Sequence, residues 1–330
     1  MKCLIIGSGR FIAPKLIEEL VYAKNEVAFV DPNPPPESVA SRVTHIMADK
    51  GSLAFYREEC LEFKPDVAIH LSANTGDEAS GFLEVFQGQV ANTIVTSNTN
   101  VYLAHARLKQ TEPGPALSVP IDEKSPLRER GLGRDEPGDK RDVETIFRNS
   151  KDPCTILRLP PVYGPNDYLR RFYPLIIRMI DERPFVLLSS SQAGWKWTHA
   201  FVDDVAHALA LSVLNPGESH RVYNVGEAKT PTMKERLEHI GTVFGWDGRV
   251  KVVSESDLPD YLKTPGDFSQ DMLIDTSLIR NELGYKEPTD YYDGLMESIE
   301  WYRDNPPADL AGKSFSYAAE DAVSSREVKE

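Results

Sequence analysis

The chain has 330 residues, 41% of them hydrophobic, which is enough to bury the core of one large or two closely packed domains. Its formal charge of −14 repels polyanions, and the densest basic stretch, Lys124 to Arg141, is interleaved with Asp and Glu, so no nucleic-acid partner is expected. No apolar run approaches the ~18 residues of a membrane span, and the apolar stretch of MKCLIIGSGR is too short for a signal peptide, so no membrane partner is expected and the cytoplasm is the expected location.

From the N-terminus, KCLII (2 to 6), EVAFV (26 to 30), THIM (44 to 47), DVAIHL (66 to 71), NTIVT (92 to 96) and CTILRL (154 to 159) are each long enough for one buried strand. Amphipathic stretches separate them. Between the first two, Phe11, Ile12, Leu16, Ile17, Leu20 and Val21 recur on one helical face. The alternation predicts an α/β fold: a Rossmann-type, doubly wound parallel sheet over residues 1–165, with 197–225 contributing. Residues 166–308 read as a smaller C-terminal substrate lobe, with helices near 170–181, 203–214, 231–244 and 291–304 and strands near 186 and 222. Residues 309–330 are small and charged with little apolar period, which predicts a flexible tail. Cys3, Cys60 and Cys154 are an odd, widely spaced set, so reduced, packed thiols are expected rather than disulfides or a metal site.

The segment IIGSGRFIAPKL follows the first strand and opens a helix. Gly7 and Gly9 permit a tight turn and close approach of backbone to a pyrophosphate, whose charge the helix N-terminus favours. Asp31 follows the second strand, where a carboxylate accepts both ribose hydroxyls of an adenosine and repels a 2′-phosphate. NAD is therefore the expected cofactor, in preference to NADP. Asp49 follows the third strand, within reach of an adenine amine, and Leu71, Ser72 and Ala73 end the fourth, where small residues let a cofactor pass.

Further motifs run in order along the chain: DVAIHLSA (66 to 73), NVYL (100 to 103), ILRLPPVYGPNDY (156 to 168), WTHAFVDDVAHAL (197 to 209), VYNVGEAKTPTMKE (222 to 235), IDTSLIRNELGY (274 to 285) and GLMESIEWYRDNPP (294 to 307). In these the chain resembles the extended short-chain dehydrogenase/reductase superfamily, in its NAD-dependent epimerase/dehydratase branch, over roughly residues 2 to 306. The resemblance implies NAD at the strand C-termini beside Phe11, Ile12, Pro160 and Tyr163. It also implies a sugar-like substrate, usually a nucleotide sugar, near Thr75, Asn166, Arg171, Trp197 and His199.

Three departures stand out. In the glycine loop, Ser8 replaces the second glycine of the family pattern, Arg10 the third and Ala13 the last. Arg10 on the first helical turn could lie along the pyrophosphate. The span from Ser72 to Ser97 is shorter than in typical members, which there carry a helix of the dimer face, so a homodimer is in doubt. The third departure is chemical: Lys140 and Glu144 keep the K-x-x-x-E spacing, but the catalytic tyrosine position, four before Lys140, holds Glu136. The Ser/Thr position holds Asn98, with Thr99 beside it. Hydride transfer at a carbinol carbon needs a group to move the hydroxyl proton. Glu136 can accept one or cap the helix that Pro137 opens; His199 titrates near neutrality, and Lys140 can hold a ribose or pair with Glu144. Two readings follow: an oxidoreductase, epimerase or dehydratase with a non-tyrosine acid/base, or an NAD-binding sensor or partner-binding protein without catalysis.

Overall fold

A computed structural model describes residues 1–131, 138–307 and 316–326. Strand and helix alternate through β1 (Lys2–Ile6), α1 (Ile12–Tyr22), β2 (Glu26–Val30), β3 (Val43–Ile46), α2 (Arg57–Glu62), β4 (Val67–His70), α3 (Gly76–Phe86), β5 (Asn92–Asn98), α4 (Leu103–Leu108), α5 (Lys140–Arg148) and β6 (Cys154–Leu159). There follow β7 (Val162–Tyr163), α6 (Tyr173–Ile180), β8 (Phe185–Ser189), α7 (Ser190–Ala193), β9 (Ala200–Phe201), α8 (Val202–Leu214), β10 (Arg221–Asn224), α9 (Met233–Phe244), β11 (Arg249–Val253), α10 (Ser277–Leu283), α11 (Tyr291–Asp304) and α12 (Tyr317–Arg326).

Seven strands pair in the order β10-β6-β5-β4-β1-β2-β3, all parallel. A sheet covered on both faces needs continuous apolar strands, and Cys3–Ile6 of β1 and Val67–Ile69 of β4 are such runs. On one face α1 and α8 pack Leu16, Leu20, Val205 and Leu209 into the core. On the other, α3 and α5 contribute Phe82, Phe86, Val143 and Phe147. The order reverses between β1 and β4, which opens a crevice at their C-terminal ends. Two small parallel sheets, β8 with β11 and β7 with β9, lie outside the main one.

Several boundaries differ from expectation. The third strand is Val43–Ile46, one residue earlier than THIM. Helix α6 starts at Tyr173, because Arg170 is left-handed (φ +49°) and Pro174 sits in the first turn, where proline is tolerated. The predicted flexible tail is corrected in part. Residues 317–326 form a helix whose Glu320 is fully buried against Arg178 (2.5 Å) and accepts from the Tyr261 hydroxyl (2.9 Å). Val323 joins Phe185, Leu187, Val253 and Leu258. Polar contacts anchor most of this helix, with Arg183 pairing Asp321 and the Tyr317 hydroxyl donating to Asp181 as well, so its weak apolar period gave no sign of docking.

All three cysteines are free and buried. Burial pushes the Cys3 thiol up to about 11 and those of Cys60 and Cys154 up to about 12, so they are inert at neutral pH.

Candidate functional site

The crevice begins at the turn after β1. Gly7 has φ +77° and Ser8 φ +63°, so Ser8 holds a conformation that a glycine adopts without strain. A Cβ on Gly7 would stand 2.0 Å from the Ser72 hydroxyl oxygen, and one on Gly9 would stand 2.4 Å from Asp31 Oδ1. The loop is therefore closed against β2 and β4 to a degree only glycine permits. Asp31 is 5% exposed. Its Oδ2 accepts from the Gly9 N–H (3.2 Å), and its Oδ1 accepts from the Asn33 N–H (2.8 Å) and Nδ2 (2.7 Å). Helix α1 carries no acidic residue in its own first turn, so beyond Asp31 at the Gly9 N–H its N-terminal field is left to an anion.

Around this loop lies a cavity of about 310 Å³ that Gly7, Gly9, Arg10, Phe11, Asp31 and Asp49 help to line. Arg10, expected along the pyrophosphate, is drawn toward the turn after β2, where its Nε donates to Asn33 Oδ1 (3.1 Å). Asp49 caps the short 3₁₀ segment Lys50–Tyr56 by accepting from the Gly51 N–H (2.8 Å). A second cavity of about 340 Å³ shares Ser8, Phe11, Ser72 and Tyr168 with the first, so the two form one groove across the switch point. Ile12, Leu71, Asn98, Lys140, Pro160 and Arg171 line its far half.

Lys140, the first residue of α5, turns inward. Its Nζ donates to the Thr96 carbonyl (3.0 Å) and to that of Ala73, bridging the ends of β5 and β4. The helix starts cleanly because Asp139 caps it, accepting from the Arg141 N–H (2.8 Å) while Arg128 clasps both carboxylate oxygens (3.0 and 2.6 Å). Burial would raise the Asp139 carboxyl, but Arg128 and two backbone N–H groups hold it below the usual carboxylate range. Glu144 does not pair with Lys140. It is fully buried and accepts from Arg158 Nε (2.9 Å) and Nη2 (2.7 Å). Arg158 also donates to the Tyr102 hydroxyl (2.9 Å), which donates onward to Asn224 Oδ1 (2.6 Å). This chain of bonds fixes the helix carrying Lys140 to β6 and β10.

Other expected residues lie elsewhere. His199 does not line the groove. It is buried, with Nδ1 2.7 Å from the Trp197 carbonyl and its ring stacked on Phe172 at 5.8 Å. Burial and the Arg236 charge push it well below the ordinary histidine range, so it is a neutral core residue rather than a titrating catalyst. Tyr163, expected against the cofactor, packs with Phe172 and Phe201 in the core. Trp197 packs on Trp195 at 5.1 Å, and Thr99 is fully buried beneath the loop after β5. Asn98 faces the groove with its Oδ1 accepting from the Asn100 N–H (3.1 Å). Thr75 forms a capping box with Glu78 at the start of α3 and faces a separate cavity beside Arg130 and Asp142. Asn166 is exposed on a left-handed turn outside the groove. Glu136 lies outside the described residues. Sequence reasoning missed Asn33, Thr96, Ser97 and Tyr168. The DPN turn marks Asn33, and NDY after YGP quotes Tyr168.

The parallel sheet and the groove at its switch point define a Rossmann-like α/β fold. Residues 140–226 match the model of the NAD dependent epimerase/dehydratase family. A dTDP-glucose 4,6-dehydratase of Streptomyces niveus is 32% identical over 146 residues, 43% of this chain and 40% of that protein. A probable dTDP-glucose 4,6-dehydratase of Sinorhizobium fredii is 24% identical over 92% of this chain and 93% of its own length. Among solved structures, the UDP-glucose 4-epimerase of Thermotoga maritima with UDP-glucose superposes with a TM-score of 0.69 at 17% identity, covering 93% of this chain and all of that one. WbmH of Bordetella bronchiseptica in complex with NAD+ gives 0.70 at 15%, covering 93% and 99%. The chain is similar to the NAD-dependent epimerases and dehydratases, by sequence over residues 140–226 and by fold over nearly its whole length.

Proposed function

We propose that this protein is an NAD-dependent epimerase or dehydratase of a nucleotide sugar, working in the cytoplasm with a proton-transfer group other than the usual tyrosine. The observation that carries the reading is the continuous groove across the switch point, with Lys140 reaching between β4 and β5 at its far half. The residues present fit the cofactor: a Cβ on either Gly7 or Gly9 would fill the cradle, and Asp31 keeps further lone pairs for a ribose hydroxyl while opposing a 2′-phosphate. Bound there, NAD supplies a reversible hydride acceptor.

The chain's own groups do the rest. Gly9 and the N-terminus of α1 take the pyrophosphate, Asp49 the adenine end, and Lys140 the second ribose. Lys140 and Arg171 are the cations of the far half, which has no carboxylate among its described lining residues, so an anionic, hydroxyl-rich ligand suits it. Asn98 orients a substrate hydroxyl. Glu136, four residues before Lys140, is the candidate proton acceptor. Among the described residues no helix is long and apolar enough to cross a membrane, and inert buried thiols suit a reducing compartment.

The test is to denature the purified protein, quantify released dinucleotide, and then offer UDP- and dTDP-hexoses with product analysis by NMR. Conversion of one of them, with NAD required, is the expected result. Tight NAD binding with no sugar altered would favour the sensor reading, and no NAD affinity would end both.

A further inference from the structure

The turn that follows β7 is expensive to build. Asp167 is fully buried, and its carboxylate accepts from the N–H groups of Leu169 (3.1 Å) and Arg171 (3.0 Å), from Arg171 Nη1 (2.8 Å) and from the Tyr302 hydroxyl (3.0 Å). Two non-glycine residues on this turn, Asn166 and Arg170, hold left-handed backbone (φ +68° and +49°), which for Arg170 is a strain that only an over-determined turn sustains. What the turn displays is Tyr168, 76% exposed. Its ring meets Phe11 edge-on at 6.4 Å and borders both halves of the groove. Beyond that edge contact, a large aromatic held in solvent by so firm a base has no packing role in the described structure.

We propose that Tyr168 is the cofactor clamp: its ring lies across the waist of the groove, covers the dinucleotide between its two ribose ends and retains it from one turnover to the next. This rests on the NAD reading above and deepens it. The backbone stays anchored at Asp167, so the ring alone swings aside for cofactor entry, turning about its side-chain bonds. Retention suits a reaction whose hydride is taken from the substrate and returned to it, since such a protein has no need to exchange its cofactor.

The test is the rate at which NADH leaves the loaded protein, followed by its fluorescence during displacement by excess NAD. Tyr168→Ala should speed release roughly tenfold to a hundredfold, the range expected for losing one aromatic cover. Tyr168→Phe, which keeps the ring, should rescue retention. Thermal midpoints of both variants should match the parent, because the side chain is exposed. Release from Tyr168→Ala at the parent rate overturns the clamp. So does release from Tyr168→Phe as fast as from Tyr168→Ala, which would assign retention to the hydroxyl rather than to the ring. Failure of the NAD reading itself is separately visible, since the parent protein would then bind no NADH at all.

Discussion

The Arg158–Glu144 pair offers the sharpest test of how the site is held. Both side chains are fully buried and share two hydrogen bonds, 2.9 and 2.7 Å. Burial opposes the charge on each, yet Arg158 holds Glu144 below the usual carboxylate range and Glu144 holds Arg158 above its own. Glu144→Gln keeps the shape and one acceptor oxygen but removes the countercharge. Breaking a buried pair from one side costs about 3–5 kcal/mol, and the retained hydrogen bond offsets about 1 kcal/mol, leaving a loss of roughly 2–4 kcal/mol. With a urea slope near 3 kcal/mol/M, the unfolding midpoint should fall by about 1 M at constant slope. Because α5 also carries Lys140, NAD affinity should weaken with it. The Glu144 contribution is present above about pH 4.5 and is lost as pH falls through the lowered folded value, so the two proteins should converge in acid. A midpoint shift below about 0.2 M at pH 7 would refute the reasoning, because it would mean that the guanidinium does not depend on the carboxylate.

Asp204 has the opposite sign. Burial, with Glu287 and Asp203 nearby, raises it to about 7 despite a bond from the Thr289 N–H. The folded state therefore keeps a proton that the unfolded state releases, and stability should fall between about pH 4 and pH 7, by up to about 4 kcal/mol from this group. Asp204→Asn should flatten that slope in denaturant titrations across the window; an unchanged slope contradicts it. Gly7→Ala forces a Cβ to 2.0 Å from the Ser72 oxygen at φ +77°, so calorimetric NAD affinity should drop more than about tenfold, while parent-like binding would remove the loop from the cofactor site. Glu320→Ala leaves Arg178 without its carboxylate, and denaturant unfolding should show a loss of about 3–5 kcal/mol; a neutral result would mean that α12 docks by Val323 and its remaining polar contacts, such as Arg183 with Asp321.

The sheet was legible because its signal is local. Cys3–Ile6 of β1 and Val67–Ile69 of β4 are unbroken apolar runs, and the glycine turn and Asp31 sit at fixed distances from strand ends. Depth was not legible. Tyr163 and Tyr168 lie five residues apart in one motif, yet one is core and the other stands in solvent, and what separates them is the turn organised by Asp167. His199 is read from sequence as a titrating group, but its partners Phe172 and Arg236 come from distant segments. Lys140 and Glu144 have the spacing of a surface pair; β6 brings Arg158 between sheet and helix and takes the carboxylate instead. Likewise α12 is held by an arginine 142 residues away, which no local pattern encodes.

Asp31 ties two properties of the protein together. Its carboxylate holds the Gly9 N–H and both donors of Asn33, and Asn33 in turn holds Arg10. Redesign toward a 2′-phosphorylated cofactor usually begins by replacing such an acid. Here the same substitution would release the glycine turn and free the arginine at once. Cofactor preference in this chain cannot be altered one residue at a time: a replacement must supply new acceptors for Gly9 and Asn33 before any gain from a better charge match at Arg10 can be realised.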